Sequence, residues 1–229
     1  GILRRPWTGL GLLRQGISMA PRKVSRGKCQ QVRMDNPDVT RLPIPTSWPQ
    51  DGGPFMTLPL VVTSDPETGV HNLGMYRSQV FGPDEVGLHW QKHKHGADHA
   101  EASEDRMPVA ICLGGPPQVI FSAISPLPDN LSEYEFAGLL SGRRLKITKC
   151  LTNDLWVPAD CDFVIEGYTL PSERRMEGPF GDHFGHYSLE DEYPVMHVTA
   201  ITHRKDPTVP MTIVGIPPDG GRLLRRGYW

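Results

Sequence analysis

Within the stretch "RMEGPFGDHFGHYSLEDEYP", residues 175–194, the glycine-rich part from 177 to 186 carries four ionisable side chains, Glu177, Asp182, His183 and His186. Carboxylates at the spacing of Glu177 and Asp182 can divide general-acid and general-base work when their surroundings push their protonation apart. A guanidinium nearby would hold one of them ionised through a two-pronged contact. His183 and His186 offer a different chemistry, ligation of a metal ion. The glycines and Pro179 exclude a regular helix or strand, so a loop held by the rest of the fold is expected. A purely structural turn is the alternative reading.

A second cluster is "HWQKHKHGADHA", residues 89–100, with His89, His93, His95 and His99. On a helix, His89 with His93 and His95 with His99 would pair on shared faces, which suits either a metal site or a polar, solvated helix. Upstream, "VHNLGMYRSQ" places Arg77 where a strand begins. An arginine there points to solvent or into a site, and solvent is the commoner outcome. Asn72 reads as a turn residue before that strand.

Those residues need a scaffold, and the patterning describes one. "FMTLPLVVTS", "GMYRSQVFG", "EVGLHWQ", "MPVAICLGG", "QVIFSAIS", "RRLKITKCL", "DFVIEGYTL", "YPVMHVTAITHR" and "VPMTIVGI" are short runs of β-branched and aromatic residues between turn formers. Such closely spaced strands predict a mainly β chain with a few helices, closed or partly closed into a barrel, rather than βαβ units. Two segments read as helical, 90–106 and 131–142. In the second, Ser132 and Glu135 form a capping box, and Leu131, Phe136, Leu139 and Leu140 mark an apolar stripe. Residues 1–54 read as an extended lead-in with little structure of its own.

Composition narrows the class. The chain has 229 residues and a net charge of −2, so no overall positive field draws nucleic acid or an anionic membrane. Basic clusters near both ends read as solvated tails, with a phosphate contact as the alternative. Cys29, Cys112, Cys150 and Cys161 lie far apart, as expected of reduced thiols in an intracellular protein. No apolar run approaches the ~20 residues of a membrane span, and the cytoplasm is the expected compartment.

Several motifs occur in one order: "DPETGVHN", "NLGMYRSQVFGPDEVGLHWQKHKHGA", "SEYEFAG", "TNDLWVPADCDFVIEGY", "MEGPFGDHFGHYS" and "GIPP". With them, residues 40–218 resemble the UbiD family, decarboxylases that use prenylated FMN to remove CO₂ from aromatic or α,β-unsaturated acids. The resemblance implies a split β-barrel, flavin-reductase-like, over residues 55–216, between the lead-in 1–54 and an atypical tail 217–229. It implies a catalytic network of Arg77, Glu177 and Asp182, with Asp182 as the proton donor. It implies a divalent metal, Mn²⁺ or Mg²⁺, on Asn72, His93 and Glu133, with His95 the alternative to His93 and K⁺ a further ion. Met75, Tyr76, Arg77, His89, Trp90, Gln91, Lys94 and His95 match the cofactor-contacting stretches.

The family further implies a flavin prenyltransferase as cofactor supplier, a homo-oligomer at full length and peripheral membrane association where the substrate is prenylated. A hydroxybenzoate of quinone biosynthesis is the commonest family substrate. Family members are about twice this long, so a fragment is expected. Two other readings stay open: a flavin-binding barrel remnant without turnover, and a metal-dependent hydrolase built on "DHFGH" and the histidine-rich helix, which bound zinc rather than manganese would favour.

Overall fold

A computed structural model describes residues 6–90, 105–128, 131–182 and 184–215. Twelve strands are defined among the described residues, and nine of them form one sheet. In chain order the strands are β1 (Arg22–Val24), β2 (Val32–Arg33), β3 (Phe55–Met56), β4 (Leu60–Ser64), β5 (His71–Met75) and β6 (Ser78–Val80). There follow β7 (Glu85–Leu88), β8 (Met107–Leu113), β9 (Lys146–Lys149), β10 (Trp156–Pro158), β11 (Phe163–Glu177) and β12 (Asp191–His203). The α-helices are α1 (Pro6–Met19), α2 (Pro117–Ser122) and α3 (Glu133–Ser141).

The large sheet runs β3-β6-β7-β12-β11-β8-β4-β5, with β2 added on β12. Its end strand β5 and the strand β6 near its other end are consecutive in the chain, separated by Tyr76 and Arg77 alone. Two residues bridge at most roughly 10 Å, so the sheet has to curl until its ends meet. The result is the mainly β, half-barrel architecture that the strand pattern predicts. Alternation along β4 and β8 serves both faces. Val61, Val109, Ile111 and Leu113 point into one cluster with Ile165 and Met196. Leu60, Val62, Ala110 and Cys112 point into the other, beneath α2 and α3. A three-stranded sheet, β1-β9-β10, lies beside it.

Several local expectations are corrected. The lead-in is not wholly extended: α1 forms there, with Pro6 at its first position. It packs on α3 at Gly138, where a Cβ would strike the carbonyl of Ser18. "QVIFSAIS" is expected as a strand but forms α2, because Pro116 and Pro117 open a helix and the hydroxyls of Ser122 and Ser125 bond back to the carbonyls of Gln118 and Phe121. Residues 209–215 of "VPMTIVGI" form no strand. The N–H of Thr212 bonds to Oγ1 of Thr57 (2.9 Å) and the carbonyl of Val214 accepts from the Trp48 indole, so side chains replace a ladder.

Helix α3 carries the expected box, Ser132 with Glu135. Its core face is Tyr134, Ala137 and Gly138 rather than the stripe through Leu140, which is exposed, because Gly138 is the residue that admits α1. The helix expected over 90–106 lies mostly at 91–104, outside the described residues.

Candidate functional site

Arg77 lies in the seam where the sheet ends meet. The run "GMYRSQVFG" does not form one strand. β5 stops at Met75, the Tyr76 ring folds back over Gly74, and Ser78 Oγ donates to the Tyr76 carbonyl (3.1 Å). That break turns Arg77 inward, against the solvent-facing expectation. Its guanidinium reaches Glu177 Oε1 through Nε (3.1 Å) and Nη2 (2.8 Å), and Nη2 also donates to Ser188 Oγ (3.2 Å). The rings of Phe180 and Phe55 lie beside it, at 4.9 and 5.9 Å from the guanidinium carbon.

Glu177 is wholly buried at the end of β11, a strand that runs seven residues past the expected "DFVIEGYTL". A buried carboxylate is costly unless both oxygens find donors. Arg77 serves Oε1, and His89 Nδ1 lies 2.8 Å from Oε2. His89 directly follows β7 and is not in a helix, and its expected face-mate His93 lies outside the described residues. Its ring packs on Tyr193, centroids 4.2 Å apart, with the phenol oxygen 3.5 Å from Nε2. Burial, and then the Glu177 charge, raise the Tyr193 pKa and keep that phenol protonated.

The loop from Gly178 to Ser188 is a small hairpin. Gly178 has φ +105°, a conformation that L side chains rarely adopt, and precedes a cis peptide to Pro179. Gly178 N–H donates to Gln79 Oε1 (2.8 Å), and Gly52 N–H to the Pro179 carbonyl (2.8 Å). A Cβ on Gly52 would fall on the Gly178 carbonyl. Phe180 and Ser188 close the hairpin: Phe180 N–H reaches Ser188 Oγ (3.2 Å), and Ser188 N–H the Phe180 carbonyl (2.8 Å). Asp182 lies beyond them, half-buried, its N–H bonded to the His186 carbonyl (2.7 Å). His186 is exposed, and His183 lies outside the described residues.

Asn72 is not a turn residue. It sits inside β5 opposite Thr63, 8% exposed, and its Nδ2 has no partner among the described residues. Glu133, first residue of α3, reaches the same strand: its Oε2 accepts from Leu73 N–H (3.2 Å). The unmet atom is a donor and by itself does not point to a cation; the amide Oδ1 and the Glu133 carboxylate are the oxygen groups of the kind that Mn²⁺ or Mg²⁺ takes. His93 and His95, together with Gln91, Lys94 and His99, lie outside the described residues. Among the described residues no three His, Cys, Asp or Glu side chains are grouped to hold a metal. Of the flavin-matching residues, Met75 and Tyr76 border the seam, and Trp90 is buried with its indole N–H unpartnered among the described residues.

Sequence reasoning by residue type missed Gln79, Ser188 and Tyr193. The only signal for Tyr193 was its place at the start of the strand paired with the Glu177 end of β11.

Comparison with known proteins identifies the family and the fold. Residues 22–217 match the family model described as UbiD, the 3-octaprenyl-4-hydroxybenzoate carboxy-lyase Rift-related domain. An uncharacterized protein of Archaeoglobus fulgidus is 46% identical over 214 residues, 92% of this chain and 44% of that protein. The vanillic acid decarboxylase of Sedimentibacter hydroxybenzoicus, in closed form, is 32% identical with a TM-score of 0.82, over 90% of this chain and 47% of that one. The UbiD-class enzyme HmfF of Pelotomaculum thermopropionicum, in complex with FMN, is 32% identical with a TM-score of 0.81, over 93% of this chain and 49% of that one. An evolved dimeric form of HmfF has been solved with prFMN. The chain thus spans about half the length of the relatives it matches.

Proposed function

The chain belongs to the UbiD family, and on that premise we propose that it carries out the reversible, non-oxidative decarboxylation of an aromatic or α,β-unsaturated carboxylic acid with prenylated FMN. Residues 55–216 form the catalytic unit on this reading, with 1–54 leading in and 217–229 as a tail. The observation that carries it is the wholly buried Glu177, held on one oxygen by Arg77 and on the other by His89, at the root of the hairpin that presents Asp182.

Loss of CO₂ leaves an electron pair on carbon, and bound prenylated FMN supplies the sink that no side chain offers. The protein's own residues supply orientation and a proton. Arg77, fixed by Glu177 and Ser188, presents its guanidinium to a carboxylate. Asp182 delivers the proton to the carbon that CO₂ leaves, so the acid's C–C bond is replaced by C–H. Phe55 and Phe180, with ring centroids 4.6 Å apart and planes tilted by 52°, give the site an apolar wall for the hydrocarbon part of the acid. Asn72 and Glu133, with His93 or His95, would hold Mn²⁺ or Mg²⁺, and Met75, Tyr76, His89, Trp90, Gln91, Lys94 and His95 would line the flavin. A hydroxybenzoate of quinone biosynthesis is the specific substrate candidate.

Anaerobic reconstitution with prenylated flavin and Mn²⁺, followed by CO₂ measurement over a panel of hydroxybenzoic, furoic and cinnamic acids, tests the reading. Turnover of at least one acid is expected. Stoichiometric bound flavin without CO₂ from any acid would contradict it and leave a flavin-binding barrel.

A further inference from the structure

The Glu177 carboxylate is gripped by two partners of different kinds. Both Arg77 contacts go to Oε1, at 3.1 and 2.8 Å, so the guanidinium does not form the parallel fork that would occupy both oxygens. Oε2 is left to His89 Nδ1 at 2.8 Å. An ionised carboxylate only accepts, so Nδ1 carries the hydrogen and the imidazole donates. Nε2 then faces the Tyr193 hydroxyl, 3.5 Å away, and the phenol ring, tilted 36° with its centroid 4.2 Å off, packs against the imidazole and restrains its rotation.

The consequence reaches the acid loop. With Oε2 taken, Arg77 keeps Nη2 on Ser188 Oγ. The same Oγ receives the Phe180 N–H, and Ser188 N–H returns to the Phe180 carbonyl. Without His89, an unpaired buried Oε2 would draw the guanidinium round into a parallel fork and off Ser188. We propose that His89, clamped by Tyr193, is a positioning residue: its Nδ1–H holds Glu177 so that Arg77 bridges to Ser188 and fixes the hairpin that carries Asp182. Its kinetic consequence rests on the decarboxylase reading, but the geometry does not.

The test compares the wild-type chain with H89L and H89N, since asparagine places an N–H near the position of Nδ1. Long-range ¹H–¹⁵N spectra of wild type should show His89 protonated at Nδ1. The Arg77 Nε–H resonance should move in H89L and return toward its wild-type position in H89N. In reconstituted protein, H89L should lose about tenfold to a hundredfold in kcat with KM little changed, and H89N should recover most of it. A neutral His89 protonated at Nε2 alone would overturn the proposal, as would an unmoved Arg77 signal or wild-type kcat in H89L. If wild type binds flavin but releases no CO₂, the decarboxylase reading fails, while the two resonances still decide whether His89 positions Arg77.

Discussion

Strand β11 carries two wholly buried glutamates, Glu166 and Glu177, and they are solved differently. Glu166 is satisfied by neutral donors from a nearby turn: Leu151 N–H (2.9 Å), Thr152 N–H (2.7 Å) and the Thr152 hydroxyl (2.8 Å). Glu177 is satisfied by ionisable groups from remote parts of the chain, Arg77 and His89. Backbone donors can only tie a turn to a strand. A guanidinium and an imidazole set charge and protonation, and they do so at the seam, beside an apolar wall and a glycine-rich hairpin. The same residue type on one strand therefore serves folding at one end and is poised for chemistry at the other.

Substitution can break that contrast. Glu177→Gln should cut decarboxylation per folded molecule by at least about a hundredfold, since Arg77 loses its charged anchor. Glu166→Gln should leave activity per folded molecule unchanged while costing about 1–3 kcal/mol of stability through a mismatched donor set. Equal activity losses in the two variants, measured against active-site titre, would erase the distinction. Arg77→Ala strands the buried Glu177 charge and should cost about 3 kcal/mol in denaturant unfolding, at the low end for a buried pair because the guanidinium is 19% exposed. Gly52→Ala, whose Cβ meets the Gly178 carbonyl, should displace the hairpin at a cost of about 1–3 kcal/mol and lower kcat along with stability.

Two milder expectations concern the opposite face. His71 Nδ1 lies 3.1 Å from the Gly69 carbonyl, and Nε2 accepts the Trp156 N–H (3.1 Å), a pair of contacts that requires neutral imidazole. Burial chiefly lowers its pKa below the ordinary 6.5. The unfolded chain therefore takes up a proton first, and stability should decline as pH falls below about 6.5. His71→Gln, which keeps an acceptor near Nε2, should flatten that decline in pH-dependent melting. The four cysteines are all buried, and burial pushes the Cys29 thiol up to about 12. Ellman's reagent should find them unreactive in native protein and titrate all four after denaturation.

Much of this was legible in the sequence, for identifiable reasons. Strand alternation and the Ser132–Glu135 box are local signals, and both appear as expected. Arg77 was not legible from residue type, because its inward turn depends on Tyr76 closing over Gly74 and on two sheet ends meeting. The ordered motifs pointed to Arg77, Glu177 and Asp182 where spacing alone left the loop's acids and histidines unranked. His89 was matched to the flavin stretch, yet its contact with Glu177 spans strands far apart in the chain, as does that of Ser188 with Arg77. α2 was misread because hydrophobic composition outweighed the paired prolines that begin it.

The most direct test of the account is decarboxylation in D₂O by the chain reconstituted with prenylated flavin and Mn²⁺, comparing wild type with Asp182→Asn. Wild type should release CO₂ and leave deuterium on the vacated carbon, while the variant should bind flavin equally and release almost none. Wild-type turnover in the variant, or stoichiometric flavin with no CO₂ from wild type, would contradict it.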